Sequence, residues 1–215
     1  MPSRNLIKFY LSNSIYHIFN RGVEKRIIFQ DEQDYNVFLS YIKEYLSPQG
    51  DTLRYRDLRG KYYTEIKLLA FCLMPNHFHL LIKQIDKNSI KKFTQSLFTR
   101  YSMYFNKKYK RVGKLFQSAY KATNVIDKEH LLYVSKYIHL NPIADSSGIV
   151  DGKKLINFHS SYSDYLKLTN TIWLDKNIIF REFNKSSYIK YHKITSYKQF
   201  VEKYKQDMPQ YEILL

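Results

Sequence analysis

The sequence contains little cysteine, proline or glycine. Its 215 residues include one Cys, five Pro and six Gly. The single Cys72 excludes an internal disulfide framework and a cysteine-rich zinc module. The longest apolar runs are short, such as residues 68–74, and none approaches the ~20 residues of a membrane span. No long apolar stretch follows the amino terminus, so we recognise no signal peptide and expect a soluble cytoplasmic protein without a membrane partner.

Aromatic and basic residues are abundant instead. Aromatic side chains make up 17% of the chain, including 21 Tyr and 14 Phe. This composition excludes a disordered chain, which is poor in aromatic and β-branched residues. A chain of this length can bury a core, so we expect one domain, or one domain with an extension. Lys and Arg number 35 against 19 Asp and Glu, and the net charge of +16 favours a polyanionic partner such as nucleic acid.

The positive charge is concentrated between residues 83 and 114, where Asp86 is the only acidic residue. The basic residues of this segment are Lys83, Lys87, Lys91, Lys92, Arg100, Lys107, Lys108, Lys110, Arg111 and Lys114. Contacts between such groups and phosphates would release counterions and make binding depend strongly on salt. A solvated helix face is the alternative interpretation.

Hydrophobic periodicity predicts alternating strands and helices. The predicted strands cover residues 15–19, 65–73, 77–82 and 116–125. The predicted helices cover residues 31–45, 88–109 and 127–140, the last with Asp127 as its N-cap and Pro142 as its stop. The order of the first six elements, β-α-β-β-α-β, matches the ferredoxin-like fold. We therefore predict an α+β protein with an antiparallel sheet and two helices on one face.

The pattern changes after residue 144. Residues 145–148 indicate a loop, and short helices follow, including one near residues 197–204. We therefore predict a first domain over residues 1–150 and a helical C-terminal extension over residues 151–215 that packs on it.

Two histidines alternate on the third predicted strand. Alternate side chains of a strand share a face, so His77 and His79 point one way while Phe78 points into the core. Two imidazoles at this spacing are close enough to bind one metal ion. An exposed pair, or a pair satisfied by other hydrogen bonds, is the alternative.

Tyr137 and Asn141 lie four residues apart on the last long predicted helix, which places them on the same face. A phenol can be a nucleophile that forms a covalent intermediate. An amide oxygen is a hard ligand suited to Mg²⁺ or Mn²⁺. The alternative is structural, because most tyrosines pack with a satisfied hydroxyl and Asn-Pro commonly ends a helix.

In combination these features resemble the HUH-type single-tyrosine transposases of the IS200-like kind, and in particular their REP-associated tyrosine transposase branch. Two blocks carry the resemblance as a pair, Met74-Pro75-Asn76-His77-Phe78-His79 and Tyr137-Ile138-His139-Leu140-Asn141-Pro142. Shorter matches are residues 16–22, 100–101, 105–106, 113–117, 120–122, 160–162 and 173–174. The resemblance extends from about residue 14 to residue 183.

The resemblance implies a transposase that nicks single-stranded DNA beside hairpin repeats and transfers the strand. It implies that Tyr137 is the nucleophile and forms a 5′-phosphotyrosine intermediate. It also implies that His77, His79 and Asn141 bind Mg²⁺ or Mn²⁺, and that residues 1–150 form the catalytic domain.

The resemblance further implies that Arg21 and basic residues around the second helix contact DNA. The latter are Lys91, Lys92, Arg100, Lys107, Lys108, Lys110, Arg111 and Lys114. One position departs from the family, which commonly has Arg after Phe-Gln-x where this sequence has Ala119. Relatives occur as monomers and as dimers with exchanged helices, so a homodimer remains open.

Two other functions also remain open. A ferredoxin-like sheet with aromatic side chains and a basic surface describes non-catalytic single-stranded nucleic-acid binders as well. A different metal hydrolase could use His77 and His79 while Tyr137 is only structural. Covalent cross-linking to DNA separates the transposase from the binder, and loss of cleavage on replacing Tyr137 separates it from the hydrolase.

Overall fold

The structure is a computed structural model that describes residues 10–48, 61–144 and 158–203. Its strands are β1 (Ile15–Arg21), β2 (Ile66–Met74), β3 (His77–Gln84) and β4 (Lys121–Asn124). Its α-helices are α1 (Glu32–Leu46), α2 (Ser89–Lys108), α3 (Lys128–Ala144), α4 (Tyr162–Tyr165), α5 (Asn177–Lys185), α6 (Ser187–Tyr191) and α7 (Tyr197–Lys203). A 3₁₀ turn covers Val23–Lys25. The predicted loop over 145–148 and the predicted domain boundary at residue 150 lie outside the described residues.

The four strands form one sheet in the order β2-β3-β1-β4, with every neighbouring pair antiparallel. Together with the two helices α1 and α2, this confirms the predicted ferredoxin-like α+β fold. Pro75 and Asn76 form the tight turn between β2 and β3, as the sequence predicts. β1 is central, because it pairs with β3 on one side and β4 on the other.

The two faces of the sheet have different partners, because alternate side chains point in opposite directions. On one face Phe78 is fully buried, with ring centroids 5.4 Å from Phe38 of α1 and 5.0 Å from Phe98 of α2. On the other face His79 lies 5.5 Å from the ring of Tyr137 of α3. The sheet therefore separates α1 and α2 from α3.

Buried charge ties α1 to the end of α2. The carboxylate of Asp34 is fully buried and accepts hydrogen bonds from Lys108 Nζ at 2.8 Å, Tyr104 Oη at 2.9 Å and Tyr109 Oη at 2.8 Å. The backbone N–H of Gln30 donates a fourth at 2.8 Å. Lys108 also bonds Asp31, the N-cap of α1. The ammonium of Lys108 therefore neutralises acids of its own chain.

We expect Asp34→Ala to lower the free energy of unfolding by about 3 kcal/mol, because it leaves four hydrogen-bond donors without the buried carboxylate that accepts from them. Urea unfolding followed by circular dichroism measures this loss. Asp31→Ala is the matched control, since Asp31 binds the same lysine from an exposed position, and it should cost less. Equal losses for the two variants would contradict the assignment of the buried carboxylate as the centre of this network.

Two predicted boundaries were wrong. β4 covers only Lys121–Asn124, not residues 116–125, because the carbonyls of Ser118 and Ala119 accept from the Asn20 side chain instead of joining a ladder. α3 does not end before Pro142 but continues to Ala144. A proline in the last turn costs one helical hydrogen bond, and burial of Asn141 and Pro142 against the protein compensates for it.

The C-terminal helices contact β2 and α3. Two isolated β-bridges, Cys72 with Ser160 and Leu68 with Leu174, cover the outer edge of β2. α5 and α7 also contact α3. Across the described ranges, no helix is both long and apolar enough to cross a membrane.

Candidate active site

The candidate site lies where β1 and β3 run side by side beneath α3. In the sheet register Arg21 is opposite His77 and Phe19 is opposite His79, so all four share one face. α3 brings Tyr137 and Asn141 onto the same face. The structure therefore brings together the predicted nucleophile, the three predicted metal ligands and one predicted DNA contact.

His77 is held between two amide side chains. Its Nδ1 lies 2.7 Å from Asn76 Oδ1, and its Nε2 lies 3.0 Å from Asn141 Oδ1. A neutral imidazole can donate only one hydrogen bond. If Nδ1–H donates to Asn76, then Nε2 and the oxygen of Asn141 meet as two electron-pair donors. Two such atoms next to each other can bind the same cation.

His79 is fully buried, and its two ring nitrogens differ sharply. Nδ1 is 2.8 Å from His17 Nε2, whereas Nε2 has no hydrogen-bond partner in the described part of the chain. Burial, followed by the nearby charges of His17, His77 and Arg21, holds the pKa of His79 well below its usual value. The ring is therefore neutral near pH 7. A neutral ring with an unpartnered buried nitrogen is suited to bind a metal ion.

His17 is a member of the site that the sequence interpretation missed. It is 1% exposed, and burial, followed by the charge of His130, lowers its pKa to about 3. A neutral His17 can accept the Nδ1–H of His79, which leaves Nε2 of His79 as the lone-pair nitrogen. The available signal was strand alternation, which places His17 on the same face as Arg21.

The donor set fits a hard divalent cation. His77 and His79 both engage Nδ1 in a hydrogen bond, which leaves Nε2 of each for coordination, and metal-binding histidines usually show this arrangement. Asn141 adds an amide oxygen next to His77. Within the described residues no group of three or more His, Cys, Asp or Glu is placed to hold a metal.

Tyr137 stands beside the histidines on α3. Its half-buried ring has its centroid 5.5 Å from that of His79 and 6.0 Å from that of His17, and it is nearly perpendicular to His79. Asn141 is one helical turn further on. The same helix therefore sets both the phenol and the amide oxygen against the imidazoles.

A buried hydrogen-bond network holds α3 in place. His139 Nε2 is 2.8 Å from Ser161 Oγ, and His139 Nδ1 is 2.9 Å from Tyr197 Oη, which in turn donates to Ser135. Burial lowers the pKa of His139 to about 3, so this ring is neutral. A neutral ring satisfies both neighbours if Nδ1–H donates to Tyr197 and Nε2 accepts from Ser161. The C-terminal segment thus binds the helix that carries Tyr137.

The predicted basic residues divide into two groups. Arg21 lies on the site face, and Lys121, which the sequence interpretation missed, lies on the same face with Nζ 5.7 Å from the Phe19 ring. The basic residues of α2 lie on the other side of the sheet. Among them, Arg100 pairs with Glu44 at 2.7 Å, as Lys108 does with Asp31. On α2, Lys91, Lys92 and Lys107 are exposed. In the segment that follows α2, Lys110 and Lys114 are exposed and Arg111 is half-buried.

Two of the predicted basic residues, Lys91 of α2 and Lys114, line a groove between α2 and residues 113–120. The groove has a volume of about 950 Å³, and its other lining side chains are mainly hydroxyl, amide and apolar. None of the described residues that line it is acidic. Ala119, where the family commonly has Arg, lies on this wall. A nucleic-acid strand in this groove would therefore meet no acidic side chain among the described lining residues.

The sequence and the fold were compared with known proteins. A family model described as "Transposase IS200 like" matches residues 10–141, which is more than half of the chain. A comparison with curated proteins finds no significant match. Among solved structures, a REP-associated tyrosine transposase bound to a REP hairpin has a similar fold, with a TM-score of 0.53 and 12% sequence identity. That match covers 80% of this chain and 98% of the other.

Proposed function

This chain belongs to the IS200-like transposase family, and from that premise we propose that it is a metal-dependent endonuclease and strand transferase acting on single-stranded DNA. In this proposal it cuts beside hairpin repeats through a covalent 5′-phosphotyrosine at Tyr137. The observation that carries the proposal is the buried, unpartnered Nε2 of His79 on the ring that faces Tyr137. A related fold is bound to a REP hairpin, which supports a hairpin-bearing substrate.

Each residue of the site has a defined part in the proposed reaction. Mg²⁺ or Mn²⁺ held by His77, His79 and Asn141 would neutralise charge on the scissile phosphate as a Lewis acid. Tyr137 Oη attacks phosphorus, the bond from phosphorus to the 3′ oxygen breaks, and a bond from phosphorus to the tyrosine oxygen forms. The phenol loses its proton to solvent, and the leaving 3′ oxygen takes one up.

The reverse reaction completes strand transfer. A 3′-hydroxyl of DNA attacks the phosphotyrosine, restores a phosphodiester and releases Tyr137 as a phenol. A phenolate is a better leaving group than an alkoxide, so this step needs no nucleotide cofactor. Arg21 and Lys121, on the same face as the histidines, would neutralise phosphates next to the reacting one.

The proposal is tested on a denaturing gel. The protein is incubated with Mn²⁺ and single-stranded DNA carrying the hairpin repeats that flank its own gene, labelled at either end. We expect a 3′-end label to shift with the protein, since the link is to a 5′ phosphate, and a 5′-end label to mark a shorter free fragment. A chelator should remove both products. The proposal fails if no adduct that resists denaturation forms on any hairpin-flanked strand with Mn²⁺ present.

We expect His17→Leu to weaken Mn²⁺ binding by roughly 10- to 100-fold, because Nδ1–H of His79 loses the acceptor that fixes its orientation. Isothermal titration with Mn²⁺ measures the affinity without DNA. His17→Gln is the matched variant, since its amide oxygen can accept the same hydrogen bond, and it should recover part of the affinity. An unchanged affinity in the leucine variant would show that His17 does not orient His79.

A further inference from the structure

A cavity lined by two arginines lies at the same end of the sheet as His77. It has a volume of about 430 Å³ and is lined by Arg26, Ile27, Gln30, Phe105 and Arg111. Arg26 and Gln30 come from the connection between β1 and α1, whereas Phe105 and Arg111 come from α2 and the residues after it. Two arginines from separate parts of the chain thus line one cavity. No acidic residue is among the described residues that line it.

The loop between β1 and α1 has an unusual backbone conformation at the two residues before Arg26. Glu24 and Lys25 both have positive φ, 55° and 59°, which costs free energy for residues other than glycine. A Cβ at Gly22 would overlap the carbonyl oxygen of Arg26 and press on its Cγ. Gly22 N–H also donates to Asn76 O at 2.9 Å. Close packing at Gly22 therefore fixes Arg26.

Arg111 is fixed from the other side. Its Nη1 donates to Asn106 Oδ1 at 2.9 Å, and its guanidinium carbon lies 5.8 Å from the centre of the Phe105 ring. Burial, followed by the positive charge of Arg26, lowers the pKa of Arg111.

The two arginines have little anionic compensation. The carboxylate described near Arg26 is that of Glu24, at 3.6 Å and with 82% of its side chain exposed. Arg26 Nε is buried and finds no hydrogen-bond partner among the described residues. Two fixed guanidiniums that repel each other are the arrangement that an oxyanion bridging them would stabilise.

The cavity is linked directly to the candidate active site. Asn76 donates from Nδ2 to the carbonyl of Lys25 at 3.4 Å, and its Oδ1 lies 2.7 Å from Nδ1 of His77. One side chain therefore contacts both the connection that carries Arg26 and the first predicted metal ligand. A strand whose reacting phosphate is at His77 could place a neighbouring phosphate at the two arginines.

We propose that Arg26 and Arg111 form a phosphate-binding subsite that holds a backbone phosphodiester of the single-stranded DNA a short distance from the scissile one. This proposal rests on the proposed function, because it takes the substrate to be single-stranded DNA. It assigns to Arg26 a role that no sequence motif indicated, and it gives Arg111 a specific partner. Both guanidiniums bind the same phosphate, so their effects are coupled.

The first test measures DNA affinity by fluorescence anisotropy without metal, for Arg26→Gln, Arg111→Gln and the double variant. We expect each single change to weaken binding roughly tenfold, and the double change to cost less than the product of the two. The dependence of log affinity on log salt should fall by about 0.7, the value for one phosphate of a single strand. Lys190→Gln, an exposed change on α6, is the control and should leave both quantities unchanged.

The second test locates the phosphate. Oligonucleotides that carry one uncharged methylphosphonate at successive positions are bound to the wild type and to the double variant. We expect one position to weaken binding to the wild type and to have no effect on the double variant. Inorganic phosphate should compete with DNA more effectively on the wild type. The proposal is overturned if no position separates the two proteins, or if inorganic phosphate competes equally on both.

The two proposals can fail separately. If the wild type forms the tyrosine adduct but the double variant binds every oligonucleotide as the wild type does, the subsite is wrong and the transposase function stands. If a single phosphate position depends on the two arginines but no adduct forms, the subsite stands and the transposase chemistry is wrong.

Discussion

Replacing Tyr137 with phenylalanine should eliminate the covalent protein–DNA adduct and lower strand cleavage at least about 1,000-fold. The substitution removes one oxygen from a half-buried ring and leaves the contacts of the ring with His17 and His79. Metal and DNA affinity should therefore change little. Quantifying the adduct on a denaturing gel, beside anisotropy with the same DNA, separates loss of chemistry from loss of binding.

Tyr133→Phe is the matched control for this variant. Tyr133 lies one turn earlier on α3 and is also half-buried. Its variant should retain adduct formation within a few-fold of the wild type. Retained cleavage in Tyr137→Phe would instead favour the hydrolase interpretation, in which water is the nucleophile and Tyr137 is structural. Loss of the adduct in both variants would indicate that any change of phenol on α3 disturbs the helix.

Replacing His79 with alanine should weaken Mn²⁺ binding more than about 100-fold and abolish cleavage, because His79 is a proposed direct ligand of the metal whereas His17 only orients His79. Electron paramagnetic resonance of Mn²⁺ gives the bound fraction directly. His79 is fully buried, so the variant also leaves a cavity, and thermal unfolding must show that it still folds.

Two comparisons make the His79 result specific. His192→Ala, in the residue after α6, should leave Mn²⁺ affinity and cleavage unchanged. His77→Ala removes a proposed ligand that is only half-buried, so it should lose the metal with a smaller loss of stability. Cleavage that survives in His79→Ala with Mn²⁺ still bound would exclude His79 as a ligand.

The alternation of side chains made much of the sheet predictable. The spacing of His77, Phe78 and His79 predicted which of them enters the core, and the structure confirms the orientation of Phe78. The pairing of strands distant in sequence could not be predicted in the same way. The partnership of His17 with His79 depends on the register between β1 and β3, which joins residues 62 apart in the chain.

Local signals failed where tertiary packing outweighs them. Pro142 is an ordinary helix stop, yet α3 passes through it because buried contacts hold the last turn. The cluster of basic residues on α2 predicted a surface for DNA. The sequence did not reveal that Arg100 and Lys108 of this cluster pair with acidic residues of α1. It also could not show that α2 lies across the sheet from the histidines. The assignment of Tyr137 came from the resemblance, because spacing alone does not separate one tyrosine from 20 others.

The hydrogen bonds of His139 have a consequence for the rotation of α3 about its own axis. His139 lies two residues from both Tyr137 and Asn141, and bonds on both of its nitrogens fix the direction in which its ring points. A slip of one residue in the helix would turn every side chain by ~100° and carry the phenol away from the imidazoles. Ser161 and Tyr197 resist that turn, although both lie beyond the residues that match the family model. The angular setting of Tyr137, the proposed nucleophile, therefore depends on residues that lie beyond the family model.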